Sequence, residues 1–86
     1  MDITRPITVE GATLSLARLE VQPASPLNTM TVGDMELRYN ISVVLLHRNH
    51  ELDLHPPSDL ILLGGDALGV LGGPIEIRQL VQDNHP

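Results

Sequence analysis

The chain contains no cysteine, no tryptophan and no phenylalanine, and Tyr39 is its single aromatic residue. The missing thiols exclude disulfide staples, thiolate-ligated zinc and cysteine nucleophiles together. The missing rings remove the stacking platform on which single-strand binders hold bases, so a core must be built from Leu, Ile, Val, Met and Ala. Basic residues are scarce as well. Five against eleven acids leave a formal net charge of −6, which opposes binding to a phosphate backbone or to an anionic lipid surface. Nucleic acid is therefore not expected as a partner. The longest apolar runs, Val43 to Leu46 and Leu60 to Leu63, fall far short of the ~20 residues that span a bilayer. No basic start followed by an apolar core marks a signal peptide. Direct membrane insertion is not expected, and a reducing cytoplasm suits the absence of cysteine.

What is present is one small domain's worth of apolar residues, 42% of 86. A domain of this size buries only roughly 60% of the surface its unfolded chain exposes. A second copy of the chain is the simplest additional surface, so a homodimer is expected.

Pattern divides the chain into a lead-in or linker over residues 1–13, which carries Pro6 and Gly11 and no sustained period, and a domain over 14–86. Leu14–Val21 reads as a strand with a central slip, because Leu14 and Leu16 fall on one phase and Leu19 and Val21 on the other. Thr31, three residues before Asp34, is placed to cap a helix over Val32–Tyr39 whose Val32, Met35 and Tyr39 share one face. Ile41–His47 is dense in β-branched and aliphatic residues and reads as a central strand covered on both faces. Arg48-Asn49-His50 supplies a polar turn into the alternating strand Glu51–Leu54, which Pro56-Pro57 ends. Gly65-Asp66 forms a turn in which Gly65 takes positive φ and the Asp66 carboxylate accepts a backbone N–H. That turn feeds a strand over Ala67–Leu71, after which Gly73-Pro74 opens a last helix with Glu76 in its first turn. The order β-α-β-β-β-α gives an α+β fold, a small mostly antiparallel sheet with two short helices.

Taken in order, several pieces make the chain similar to a known family. They are Leu19-Glu-Val21, Ser25-Pro26-Leu27, Glu36-Leu37-Arg38, the apolar strand closing on His47-Arg48, Pro56-Pro57-Ser58-Asp59, Leu62, Gly65-Asp66 and the strand finishing on Gly72. Together they resemble the RCK C-terminal (TrkA C-terminal) domain of potassium channel and transporter regulators, from about Leu14 to Val81. The chain departs from the family pattern at Thr29, where a glycine is usual before the helix. The family's dinucleotide-binding half has no counterpart here, since glycines 64, 65, 69, 72 and 73 do not follow the Gly-x-Gly-x-x-Gly spacing.

The resemblance implies a cytoplasmic regulatory domain, held at the inner face of the cell membrane through a potassium channel, potassium uptake system or cation/proton antiporter. It implies a homodimer that senses a small effector, with cyclic di-AMP and divalent cations known across the family and the former held at the dimer interface. The alternative is a ligand-free dimerisation or docking module of a transport protein.

Among the candidate sites, the cluster His47-Arg48-Asn49-His50 is the densest in polar groups. One reading is a solvated hairpin turn. The other makes Arg48, Asn49 and His50 the ligand-binding residues, because planar Arg donors suit phosphate oxygens, with the apolar strand and its hairpin supplying the dimer contact. A metal site from His47, His50 and His55 lacks a completing carboxylate. The acids Asp34, Glu36, Glu51, Asp53, Asp59 and Asp66 do not follow a calcium-loop spacing. A nucleophile set from Ser42, His47 and Asp53 can be drawn from residue types common in any chain, and the expectation is a protein that is not an enzyme.

Overall fold

Side-chain alternation along the strands decides which face of the sheet the helices cover. In the computed structural model, which describes residues 2–3 and 6–86, the chain forms β1 (Asp2–Ile3), β2 (Ile7–Val9), β3 (Ala12–Glu20), α1 (Val32–Tyr39), β4 (Ser42–Arg48), β5 (Glu51–Leu54), β6 (Ala67–Gly72) and α2 (Pro74–Asp83). The strands lie in the order β1-β3-β6-β4-β5, with β2 also paired to β3. Every described pairing is antiparallel. From β3 onward this is the α+β order β-α-β-β-β-α expected from the sequence.

Two strands precede it. Ile7 pairs with Leu14 and Val9 with Ala12, turning through Glu10 and Gly11 at φ 49° and 83°. The segment read as a lead-in thus reaches the edge of β3, while its residues 1, 4 and 5 lie outside the described residues.

β3 carries no slip. Ser15, Ala17 and Leu19 are buried on one continuous phase that Val21 extends, and Leu16 stands on the other face, 38% exposed. The two-phase expectation counted leucines as inward. The inward row instead includes a serine and an alanine, where helix packing leaves little room. Ala17 lies opposite Val70 and Leu19 opposite Leu68, while β4 sets Val43 opposite Val70 and Leu46 opposite Leu68. These inward rows join Val32, Met35 and Tyr39 of α1 and Ile77 and Leu80 of α2 in one core. The register between β4 and β6 shifts between Val43 and Leu45, so Val44 is the extra residue of a bulge and Leu45 turns to the outer face. β4 is therefore covered by helices on one face only.

The α1 limits follow local chemistry. Thr31 Oγ1 accepts from the Asp34 N–H at 3.1 Å, and Asn40 closes the helix in the left-handed region at φ 54°. Thr29, where the family pattern has glycine, holds φ +75°, a conformation that burdens a β-branched residue. At the far end, the buried Asn84 ties α2 back to the sheet. Its Oδ1 accepts from the Gln22 N–H at 2.9 Å and its Nδ2 donates to the Glu20 carbonyl at 2.7 Å.

Candidate functional site

The hairpin between β4 and β5 and the turn before β6 meet at one end of the sheet. Because His47 lies opposite Ala67 in the β4–β6 ladder, the next residues along, Arg48 and Asp66, face each other on the other side. Asn49 and His50 make the tight hairpin turn, both left-handed at φ 51° and 65°, as a two-residue type I′ connection requires. Gly65 turns at φ +94°, and the Leu63 N–H donates to Asp66 Oδ2 at 2.8 Å. The turn anticipated from Gly65-Asp66 is therefore built as expected. Between hairpin and turn lies an open cavity of about 400 Å³ lined by the hairpin residues His47 to His50 and the turn residues Leu63 to Asp66.

The three residues expected to bind a ligand all border this cavity, but Arg48 is already engaged. Its Nε donates to Asp66 Oδ1 at 2.8 Å and its Nη2 to Asp66 Oδ2 at 2.6 Å. Nη2 also donates to the Ile61 carbonyl at 2.9 Å. The Asp66 side chain is 4% exposed and that of Arg48 30%. Burial alone would push the Asp66 carboxyl up, yet the hydrogen bonds from Arg48 and the Leu63 N–H and the adjacent positive charge hold it below the usual carboxylate range. Hydrogen bonding to Asp66 outweighs burial in keeping the guanidinium protonated. The pair is a bidentate clamp that fastens the hairpin to the turn. Asp66 does more than close its own turn. The cue was available in the sequence as opposite charges at the end of one strand and just before another, but it required the pairing of two segments eighteen residues apart.

The other candidate sets do not come together. Ser42 and His47 point outward from β4, whereas Asp53 pairs with Leu46 on the inner side of β5. Among the described residues no group of three or more His, Asp or Glu side chains is arranged to hold a metal ion. Glu36 is committed to the backbone, accepting from the Val43 N–H at 2.9 Å.

Comparison with known proteins agrees with the fold. The family model of the TrkA-C domain matches residues 16–82. The chain belongs to the TrkA-C family. Among solved structures it is similar to the RCK C domain of the potassium transport protein KtrA in complex with cyclic di-AMP, at 18% identity and TM-score 0.65, over 78% of this chain and 79% of that one. It is also similar to the RCK_C domain dimer of S. agalactiae BusR in complex with cyclic di-AMP, at 11% identity and TM-score 0.71, over 80% and 88%. The GsuK channel bound to NAD matches at 21% identity and TM-score 0.65, over 83% of this chain but 13% of that one. A search of curated proteins finds no match.

One expectation is overturned. Nucleic acid was excluded as a partner on charge, yet BusR neighbours with TM-scores of 0.71 and 0.70 are complexes with promoter DNA, in which the chain spans 35% and 41% of the matched polypeptide. The acidity of one TrkA-C domain describes that domain's own surface. It sets no bound on what a longer protein carrying such a domain contacts.

Proposed function

We propose that this TrkA-C domain is the cytosolic, effector-sensing regulatory part of a potassium channel, potassium uptake system or cation/proton antiporter, and that it works as a homodimer without catalysing a reaction. The observation that carries the reading is the family match over residues 16–82, joined to neighbours solved with cyclic di-AMP, one of them as a dimer. No helix among the described residues is long and apolar enough to cross a membrane. On this reading the pore is a separate segment or chain, and the domain acts at the inner face of the membrane through it. The regulatory domain is taken as 14–86, with residues 1–13 leading into it through β2 and the first residues of β3.

The effector site proposed is the cavity at the β4–β5 turn. Asn49 and His50 supply ligand contacts, and Arg48 contributes the guanidinium Nη1 not used in its three bonds to Asp66 and Ile61. Asn49 and His50 both line the cavity beside Arg48, which supports this reading. An effector that binds the two dimer arrangements unequally shifts the balance between them. The neutral Arg48–Asp66 clamp favours the second reading, a ligand-free dimerisation or docking module.

A thermal-shift series with cyclic di-AMP, NAD, calcium, magnesium and zinc separates the two. At about 100-fold over its dissociation constant an effector adds ~2.7 kcal/mol, more than about 10 °C for a domain of this size. His50→Ala and Asn49→Ala should erase the shift. A flat response to every compound leaves the docking module.

A further inference from the structure

We propose that the segment carrying β1 and β2 is a guard strand: it occupies the edge of β3 so that no extended segment of another chain pairs there, and it is held loosely enough to be released. The strand order β1-β3-β6-β4-β5 has two ends, and an edge strand offers its backbone N–H and C=O groups to any extended partner. The β5 edge is already blunt. It runs for four residues, carries Glu51 and Asp53, and is followed by Pro56-Pro57, features that each discourage an added strand. β3 lacks most of that protection. It runs for nine residues from Ala12 to Glu20 without a proline, a length of ~30 Å. Its charges, Arg18 and Glu20, lie at one end, and Ala12 to Ala17 carry none.

Alternation along an antiparallel ladder decides which amides the guard covers. The Val21 N–H donates to the Asp66 carbonyl at 2.8 Å, so Val21, and with it Leu19 and Ala17, turns its amide toward β6. Arg18 and Leu14 turn theirs the other way, where they lie opposite Asp2 and Ile7. Glu10 and Gly11, at φ 49° and 83°, make a two-residue turn whose flanking residues Val9 and Ala12 are a bonded pair. Ile7 and Leu14 are the next bonded pair, which leaves the Thr8 amide facing outward. Pro6, two residues before it, has no N–H to offer. A long regular edge is thus replaced by a short one interrupted by proline. The hold on β3 is weak. Among the described residues, β1 and β2 touch no other element, and Ile7 and Val9 stay 55% and 50% exposed. A two-stranded ladder with no packed face is marginal by itself. The register also moves by one between the β1 and β2 pairings, and Glu10 stands where such a turn favours Asn or Gly.

Amide hydrogen exchange of the full chain, followed by NMR, tests the hold, and sedimentation velocity tests the guarding. The Leu14 and Arg18 amides should exchange ~10-fold or more faster than those of Ala17 and Leu19, because the guard opens before the β3–β6 ladder does. Equal protection on both sides of β3 overturns the loose hold. Glu10→Asn relieves the turn and should slow exchange at Leu14 about 3-fold while leaving Leu19 unchanged; an unmoved Leu14 counts against the guard. Ile7→Pro/Val9→Pro deletes both N–H donors that face β3. With circular dichroism matching the wild type, it should form species larger than the wild type does, growing with concentration as open edges pair. Gly11→Val strains the turn at φ +83° without a clash, releases the guard more gently, and should show the same association at higher concentration. Thr8→Pro removes only an outward N–H and should sediment as the wild type does. If the Gly11 variant and the double variant, wherever folded, also sediment as the wild type does, the β3 edge needs no guard and the proposal fails.

Discussion

Replacing Arg48 by Met keeps most of the aliphatic stem and removes the cation from Asp66, leaving a side chain 4% exposed with the Leu63 N–H as its remaining named donor. Breaking a buried pair from one side costs about 3–5 kcal/mol, because the surviving charge is stranded rather than solvated. An 86-residue domain at about 0.05–0.15 kcal/mol per residue holds only ~4–13 kcal/mol in total. Arg48→Met should therefore lose ~3 kcal/mol in urea unfolding at pH 7, and at about 4–8 °C per kcal/mol its midpoint should fall by more than 10 °C. Asp66→Asn should cost less, ~2 kcal/mol, because the amide oxygen still accepts from Leu63 while the partially exposed Arg48 regains water.

The pH dependence carries a sign. The folded Asp66 carboxyl lies below its ordinary value, so the pair's contribution is complete above the unfolded pKa of ~3.9 and is lost as pH falls through the folded value. In Arg48→Met, burial dominates and the carboxyl takes up a proton under milder conditions. The stability gap between wild type and variant should then narrow steadily as the solution is acidified. A loss under 1 kcal/mol at pH 7, or a gap as wide in acid as at neutrality, would refute the clamp. Loss of effector binding with undiminished stability would instead return Arg48 to a purely ligand-facing role.

Tyr39 offers a second titration. Burial first, then donation of its hydroxyl to Asp83 Oδ2 at 2.7 Å, push it up to about 12. Its contribution, up to ~2 kcal/mol, is complete below the unfolded pKa of ~10 and lost as pH rises through the folded value. With a single tyrosine, the tyrosinate absorbance reads it directly, and a midpoint near 10 in the folded protein contradicts the assignment. Thr29→Gly should stabilise the domain by ~0.5–1 kcal/mol in chemical denaturation, since φ +75° suits glycine and the gain exceeds the added freedom of the unfolded chain. Gly64→Ala should cost ~1–3 kcal/mol by the same measurement, because its Cβ would sit 2.7 Å from the Pro23 Cα, a backbone atom that cannot swing aside.

Much of this molecule was legible locally. Thr31, Asp34 and the Val32, Met35, Tyr39 spacing determine α1 to the residue, and Gly65-Asp66 determines the turn before β6, because capping and turn chemistry act within a few positions. Pro74 opens α2 for the same reason. The cavity's hairpin residues were legible too, as a polar break between apolar strands. The inward phase of β3 was not, since Ser15 and Ala17 carry no hydrophobic signal and only the helices packed above them show which side is core.

What the sequence by itself determined, then, is the set of elements from β3 onward, their order and the family. What only the tertiary structure decided is which distant groups meet: Arg48 with Asp66, Asn84 with the end of β3, the residues before Ala12 with β3, and a row of leucines left on the outer face. Those outcomes depend on strand register and packing between segments far apart in the chain. A one-residue change of register would send each side chain to the opposite face, and no local pattern records that choice.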